Sequence, residues 1–217
     1  MKYLQIKCKP LDDLLGGGIE SNTLTEIYGE AGSGKTNLCL QASRECANSR
    51  NKVAYIDAEG VSVERLGQLC EDYNYKKTLS NILFFNPSSF EEQEKMINNA
   101  IKIDGVGLIV VDTFNKLYRV KLENDEEGAA RSLNRQVTNL QLASRKNNLY
   151  VLLTGQVYST ENDDVKPFAG RGVEHMVKTI LKLEKVGSGR RQATIIKHRS
   201  QPEGKKANFT ITAKGLE

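Results

Sequence analysis

Short apolar runs alternate with longer amphipathic stretches over the first 155 residues of the chain. Runs rich in Val, Ile, Leu, Phe and Tyr are typical of buried strands, and apolar positions spaced three or four apart are typical of helices. The alternation predicts βαβ units, whose parallel strands form a central sheet flanked by helices on both faces. The predicted strands span 24–28, 53–57, 82–85, 108–111 and 150–154, and the predicted helices span 36–48, 63–73, 90–103 and 127–146.

The C-terminal part of the chain follows a different pattern. Residues 179–186 and 191–198 are β-rich and flank Gly187-Ser188-Gly189, which predicts an antiparallel hairpin. Residues 207–212 add a further strand. No Pro-, Gly- or Ser-rich linker separates these strands from the preceding units. We therefore predict an α/β fold with a mostly parallel sheet, antiparallel C-terminal strands and a single domain over 1–217.

Composition excludes several classes of protein. Of 217 residues, 39% are hydrophobic and 27% are charged, which is ordinary for a globular protein. No apolar run approaches the ~20 residues of a membrane-spanning helix, and residues 1–7 lack the apolar segment of a secretory signal. The four cysteines form no CxxC pair, which favours buried thiols in a reducing compartment over disulfides. These observations predict a cytoplasmic protein.

The net charge of +4 is unevenly distributed. The segment 178–214 holds ten Lys or Arg and two acidic residues, a local charge of +8. Such a segment is suited to face a polyanion. It is equally well explained as a solvated strand edge, because Lys also protects exposed strands from pairing with other chains.

A phosphate-binding motif follows the first predicted strand. Residues 29–36 match GxxxxGK[ST] and stand between an apolar strand and a helix, which is the context this motif requires. Its glycines let backbone N–H groups surround phosphate oxygens, and the helix N-terminus favours negative charge. We predict an ATP site in which Lys35 reaches the β- and γ-phosphates and Thr36 ligates Mg²⁺. The motif residues predicted to bind the nucleotide are Gly29, Glu30, Ala31, Gly32, Ser33, Gly34, Lys35 and Thr36.

Three polar residues stand at or just after the ends of predicted strands. Asp112 ends the fourth apolar run, where a carboxylate beside the phosphate motif is suited to hold Mg²⁺ through water. Glu59 comes two residues after the second strand and is a candidate general base for an attacking water. Gln156 follows the fifth strand and is a candidate sensor of the γ-phosphate. From spacing alone, Glu59 and Gln156 are equally well explained as ordinary polar residues at strand ends.

These segments resemble the RecA/RadA recombinase superfamily over nearly the whole chain. Residues 10–20 resemble the helix and turn that precede its phosphate loop. Residues 55–60 (Tyr-Ile-Asp-Ala-Glu-Gly) resemble the segment with its catalytic glutamate, and residues 153–157 (Leu-Thr-Gly-Gln-Val) the segment with its γ-phosphate-sensing glutamine. The resemblance implies a RecA-like P-loop ATPase core that binds ATP and Mg²⁺. The catalytic residues it implies are Glu59, Lys35 and Gln156.

Other positions acquire a role only through this resemblance. Arg65 stands near the place of an arginine that contacts the adenine, and Pro202 near that of a proline that caps it. His175 resembles a histidine that links the second DNA-binding loop to the γ-phosphate sensor. Residues 197–199 (Lys-His-Arg) resemble cations of related ATPases that reach a neighbouring subunit's nucleotide. In a monomer these cations are free for DNA.

The chain also departs from the family pattern. It begins at the ATPase core, without the N-terminal helix-hairpin-helix domain or the phenylalanine–x–x–alanine polymerisation motif, which argues against filaments like those of RadA. The two segments that match the family's DNA-binding loops, near 119–129 and 158–172, contain acidic runs that repel phosphates. The predicted DNA contacts are Arg119, Arg171, Arg190, Arg191, Lys197, Arg199, Lys205 and Lys206.

The resulting interpretation is an ATP- and DNA-binding recombinase paralogue that acts as an accessory factor in homologous recombination and DNA repair. It predicts weak Mg²⁺-dependent ATP hydrolysis and binding of single-stranded DNA that is largely independent of sequence. The resemblance implies the RadA recombinase as a partner, together with a Holliday-junction resolvase. A homodimer is a further candidate assembly, and the sequence leaves the oligomeric state open. The alternative is a KaiC-like regulatory ATPase that oligomerises and does not bind DNA, which the acidic loops and residues 197–199 favour.

Overall fold

The computed structural model describes residues 2–49, 51–159, 165–167 and 170–217, and of residues 158–159, 165–167 and 170–172 it describes the backbone only. Its helices are α1 (Lys9–Leu14), α2 (Lys35–Asn48), α3 (Val63–Leu69), α4 (Tyr75–Ser80), α5 (Phe90–Ala100), α6 (Lys116–Leu122), α7 (Glu126–Asn147) and α8 (Gly170–Met176). Its strands are β1 (Tyr3–Leu4), β2 (Ile19–Glu20), β3 (Thr23–Gly29), β4 (Lys52–Asp57), β5 (Ile82–Phe85), β6 (Val106–Asp112), β7 (Tyr150–Gly155), β8 (Val157–Ser159), β9 (Val165–Pro167), β10 (Thr179–Lys185), β11 (Arg190–Lys197), β12 (Lys206–Thr212) and β13 (Gly215–Leu216).

A central sheet in the order β13-β12-β11-β10-β3-β7-β6-β4-β5 organises the molecule. The strands from β10 to β5 in this order are parallel, and β11, β12 and β13 continue the sheet in antiparallel pairs. The predicted fold class is therefore confirmed, including the hairpin and the antiparallel C-terminal strands.

Two hydrophobic cores lie on the two faces of this sheet. Successive strand residues point to opposite faces, so Val53 and Tyr55 of β4 join one core while Ala54 and Ile56 join the other. Helices α1, α2 and α3 supply buried side chains to the first core, and α5 and α7 supply them to the second. Burial on both faces is the reason that the central strands read as continuous apolar runs.

The helical regions differ from the sequence prediction in several places, since α4, α6 and α8 were not predicted and two predicted helices end early. The helix predicted over 63–73 ends at Leu69, and α4 begins after Asn74, whose side chain accepts a hydrogen bond from the backbone N–H of Lys77 at 3.1 Å. An N-cap of this kind starts a new helix in the middle of a helical pattern. Helix α6 was not predicted, because none of its residues is buried and its sequence therefore lacks a strong apolar periodicity.

The parallel strands place their carboxyl ends along one edge of the sheet, where ligands bind in folds of this type. The strands β3, β7, β6 and β4 end there at Gly29, Gly155, Asp112 and Asp57. We call this edge the phosphate-loop edge and residues 29–36 the phosphate loop.

The cysteines behave as the sequence predicts, since Cys8, Cys39, Cys46 and Cys70 are all buried free thiols. Within the described ranges, none of the helices combines the length and the apolar character needed to cross a bilayer.

Candidate nucleotide-binding site

The phosphate loop joins β3 to α2 by a path that depends on glycine. Gly32 and Gly34 have φ values of +72° and +107°, which side chains with a Cβ rarely adopt. A Cβ at Gly29 would stand 2.2 Å from the carbonyl oxygen of Leu183 on β10. The sheet therefore holds the start of the loop closely, while the glycine conformations turn its backbone toward the α2 N-terminus. That arrangement suits a bound phosphate chain.

The side chain of Lys35 binds the backbone of its own loop. Its Nζ donates hydrogen bonds to the carbonyl oxygens of Gly29 at 2.8 Å and Glu30 at 2.9 Å. Burial lowers the pKa of Lys35, and the nearby carboxylates of Glu59 and Asp112 act in the opposite direction. An anion in the loop would stabilise the ammonium further, because an opposite charge favours the charged form.

The hydroxyl of Ser33 is buried without a hydrogen-bond partner among the described residues. Buried hydroxyls normally have partners. An orphaned donor inside a glycine-rich loop, next to a buried ammonium, fits the phosphate oxygens of a nucleotide.

Asp112 lies at the end of β6 and is 1% exposed. One carboxylate oxygen accepts a hydrogen bond from the Tyr55 hydroxyl at 2.7 Å, and the other accepts one from the Thr154 hydroxyl. Thr36 also hydrogen-bonds this carboxylate. Burial raises the pKa of Asp112, while the three hydroxyl donors oppose this shift by stabilising the ionised form.

Thr36 and Asp112 fit a magnesium ion. Mg²⁺ binds hydroxyl, carboxylate, phosphate and water oxygens, and it usually takes only one or two protein carboxylates. Elsewhere in the described part of the chain, no group of three or more His, Cys, Asp or Glu side chains is placed to hold a metal by itself. This donor set therefore suits an ion that is shared with a phosphate ligand.

Glu59 and Gln156 are in direct contact. The Gln156 Nε2 donates a hydrogen bond to the Glu59 Oε1, although 97 residues separate them in the chain. Glu59 is held by a turn centred on Asp57, whose carboxylate accepts the backbone N–H groups of Glu59 at 3.1 Å, Gly60 at 2.8 Å and Val61 at 2.7 Å. The structure thus brings Glu59 and Gln156, two of the three predicted catalytic residues, together at the phosphate-loop edge.

The side chain of Asn115 holds the backbone of Gln156. Its amide Nδ2 donates to the Gln156 carbonyl at 2.9 Å and its Oδ1 accepts the Gln156 N–H at 3.1 Å. Asn115 is 2% exposed. Asn115, Tyr55 and Thr154 were not among the predicted functional residues. Each is an unremarkable polar residue in the sequence, and its role depends on contacts between separate strands.

Arg65 lies at the phosphate-loop edge and contacts its own chain. Its guanidinium donates to the carbonyl oxygens of Thr212 at 2.8 Å and Ala213 at 3.0 Å, and to Asn37 of α2 at 2.6 Å. Pro202 is exposed in the connection between β11 and β12, at the opposite edge of the sheet. Pro202 therefore cannot cap a nucleotide held by its own phosphate loop, and its predicted role requires a nucleotide on another subunit.

The predicted DNA contacts fall into separate groups. Arg190 and Arg191 begin β11 at the phosphate-loop edge, whereas Lys197 ends β11 about 23 Å away, since a strand rises ~3.3 Å per residue. Arg199, Lys205 and Lys206 lie on that far side, where Arg199 pairs with the buried Glu20 at 2.8 Å.

The two segments predicted to be DNA-binding loops differ in what the structure describes of them. The first is helical, because Arg119 lies in α6 and Asp125 caps α7 by accepting the Gly128 N–H at 2.9 Å. Acidic residues in the first turn of α7 favour that helix end. In the second, the acidic run 161–164 and the side chain of Arg171 lie outside the described residues. His175 is exposed on α8.

Comparison with known proteins gives a consistent result. The model of the Rad51 family matches residues 2–217. The chain is 45% identical over 220 residues to the DNA repair and recombination protein RadB of Methanococcoides burtonii, covering 99% of this chain and 97% of that protein. It is 40% identical over 215 residues to the RadB of Archaeoglobus fulgidus, covering 96% and 95%. A crystal structure of the RadB recombinase superposes with a TM-score of 0.88 at 38% identity, covering 99% of each chain.

Proposed function

The chain belongs to the Rad51 family, and on that premise we propose that it binds ATP and DNA as an accessory factor in homologous recombination and DNA repair. The observation that carries the proposal is the convergence of Lys35, Asp112 and the Glu59–Gln156 pair at one edge of the sheet. The names of its relatives, which are DNA repair and recombination proteins, support the same role.

The phosphate loop would hold the phosphates of ATP, with Lys35 transferring its hydrogen bonds from the loop carbonyls to phosphate oxygens. Thr36 and Asp112 would hold Mg²⁺, which supplies charge neutralisation for the phosphates when it is bound. Arg65 would flank the nucleoside, since it lies between α2 and the end of β12.

Glu59 would accept a proton from the attacking water, and Gln156 would report the γ-phosphate. In the structure the Gln156 amide is bonded to Glu59, so a γ-phosphate competes for that amide and frees the glutamate. The segment 157–172 follows Gln156 directly, so the nucleotide state would be coupled to DNA affinity through it. We propose slow hydrolysis, because Lys197 and Arg199 lie at the opposite edge from their own phosphate loop.

DNA would be bound through its phosphates, by Lys and Arg side chains, largely without sequence preference. The partners proposed from the family are the RadA recombinase, a Holliday-junction resolvase and a second copy of the chain. A cytoplasmic location is proposed on the same grounds.

The decisive test is a titration of labelled single-stranded oligonucleotide by fluorescence anisotropy, at two salt concentrations, with and without MgATP. We expect binding that weakens steeply with salt and changes with MgATP. The Lys35→Ala variant should lose MgATP affinity, and unchanged affinity in that variant would remove the site assignment. ATP-driven rings without DNA affinity at low salt would instead support the KaiC-like alternative.

A further inference from the structure

The β10–β11 hairpin carries two cationic side chains to the phosphate loop. β10 runs parallel to β3 with Leu183 opposite Gly29, so the hairpin projects beside the loop. Lys185 and Arg191 are direct partners across the hairpin. Directly opposite residues of an antiparallel pair share one face of the sheet, and here both side chains approach Gly32.

The contacts of these side chains are specific. The Arg191 Nε donates a hydrogen bond to the Gly32 carbonyl at 3.0 Å, and its Nη1 donates to the Arg190 carbonyl at 2.9 Å. The Lys185 Nζ lies 3.3 Å from the position of a Cβ built on Gly32. Within the described part of the chain, Lys185 forms no hydrogen bond or ion pair, and the Arg191 Nη2 has no partner.

Lys185 and Arg191 therefore bring positive charge to the loop, which the Glu30 carboxylate offsets only in part. Glu184 is the acidic residue next to Lys185, but it pairs with Lys182 at 2.9 Å. A cavity of about 100 Å³ is lined by residues of both β10 and the start of the loop, and Glu30 and Lys185 are among them. The positive charge of Lys185 also acts on Lys35. Neighbouring like charges disfavour each other's charged form, and an anion bound between them would stabilise both.

We propose that Lys185 and Arg191 form a second cationic group for the phosphate chain of a nucleoside triphosphate, acting with Lys35 on the nucleotide of the same subunit. Lys185 attracts the phosphates directly. Arg191 is a positioning residue that holds the Gly32 carbonyl and adds its positive charge beside the loop. The proposal rests on the proposed nucleotide binding, and it removes Arg191 from the DNA contacts.

The test compares MgATP affinity by calorimetry, at low and high salt, for the wild-type chain, the Lys35→Ala variant and four further variants. Lys185→Gln and Arg191→Gln remove the proposed cations, and Arg191→Lys keeps the charge without the planar guanidinium. Lys76→Gln removes the same charge from an exposed residue of α4, outside the site. Single-stranded DNA affinity is measured on the same samples, and circular dichroism melting confirms that each variant is folded.

We expect Lys185→Gln and Arg191→Gln to weaken MgATP binding by about threefold or more at low salt, with a smaller difference at high salt because exposed charges are screened. Arg191→Lys should recover part of the loss, and Lys76→Gln should match the wild type. Wild-type MgATP affinity in both glutamine variants would overturn the inference. If the Lys35→Ala variant lost MgATP affinity in that case, the proposed nucleotide site would stand without a contribution from Lys185 and Arg191. Loss of DNA affinity alone would also overturn the inference and would assign the hairpin to DNA.

Discussion

The Gln156 amide donates a hydrogen bond to the Glu59 carboxylate, which connects the segment after β7 to the turn after β4. Asn115 holds the Gln156 backbone and Asp57 holds the Glu59 backbone. The Glu59–Gln156 hydrogen bond therefore joins two segments whose backbones are each held in place by another side chain. A ligand that breaks the contact changes both of them at once.

Removing the carboxylate of Glu59 should abolish hydrolysis and spare binding. A general base contributes about 10²–10⁴-fold to a rate, so Glu59→Gln should lower the steady-state rate of phosphate release at least about 100-fold. MgATP affinity should stay within about threefold. Glu71→Gln, at an exposed residue, is the matched control. Hydrolysis at the wild-type rate in Glu59→Gln would exclude Glu59 as the base.

Asn115→Ala should destabilise the fold and weaken nucleotide coupling. The substitution leaves the Gln156 N–H and carbonyl without their partners, and an unsatisfied buried group costs about 1–3 kcal/mol. Urea denaturation should show this loss, while Asn124→Ala, at an exposed residue of the segment after α6, should show little change. In addition, the effect of MgATP on DNA affinity should shrink in Asn115→Ala. An unchanged response to MgATP would mean that Gln156 does not transmit the nucleotide state.

Tyr55→Phe should move the acidic limb of Mg²⁺-dependent ATP hydrolysis to higher pH. The Tyr55 hydroxyl stabilises the ionised form of Asp112 and so opposes the burial that raises the pKa of this carboxyl. Losing the hydroxyl raises that pKa further, and more of the carboxyl is protonated at any given acidic pH. Rates measured between pH 5.5 and 8 test this. Tyr73→Phe removes a hydroxyl bonded to Glu45 away from the site, and its profile should match that of the wild type.

Glu26 should make the stability of the fold depend on pH. It is buried in β3, and burial together with Glu174 raises its pKa to about 7, against the opposing charge of Lys197. The folded pKa is above the unfolded value of 4.5, so the native state binds the proton more tightly. The free energy of unfolding should fall by about 3 kcal/mol as pH rises from 4.5 to about 7, then level off.

Glu26→Gln keeps the shape of the protonated side chain and removes its titration. Urea denaturation should therefore show equal stability of variant and wild type near pH 4.5, and a more stable variant at pH 8. Glu203→Gln, at an exposed residue, is the control. A wild-type chain that keeps the same unfolding free energy from pH 4.5 to 8 would contradict the assignment.

The basic residues at the far end of the sheet give a separate DNA prediction. Lys205 and Lys206 lie about a strand length from Arg190. If the pair contacts phosphates, Lys205→Gln with Lys206→Gln should reduce the salt slope of single-stranded DNA binding by about 1.4, since each contact contributes about 0.7. Anisotropy at several salt concentrations measures the slope. Lys102→Gln with Lys146→Gln is the charge-matched control, and an equal loss of slope there would show a non-specific charge effect.

The sequence predicts those parts of the site that are formed by consecutive residues. The phosphate loop is one motif between a strand and a helix, so its position and fold follow from local chemistry. Asp112 and Glu59 could be placed because Asp112 ends one apolar strand and Glu59 follows another by two residues, and these two strands become neighbours in a parallel sheet. The bond between Glu59 and Gln156, and the support from Asn115, depend on packing across the sheet, which no single segment encodes.

The predicted end of the helix over 63–73 was wrong for a related reason. The pattern over 63–73 is periodic enough for one helix, but Cys70 ends α3 and the Asn74 side chain starts α4. The location of Pro202 also could not be predicted from its match to a family position, because the antiparallel path of β11 carries its segment to the far edge of the sheet.

Because its native thiols are buried, the protein is suited to labelling at a single introduced cysteine. Burial raises the pKa of Cys8 to about 11 and that of Cys46 to about 12, and it raises that of Cys39 well above its usual range. Because the thiolate is the species that reacts, these cysteines should resist maleimide dyes in the folded protein. A single cysteine introduced at Ser188, in the exposed tip of the β10–β11 hairpin, would then take the dye selectively. Fluorescence energy transfer from that tip to a nucleotide analogue would follow nucleotide binding without any native cysteine being replaced.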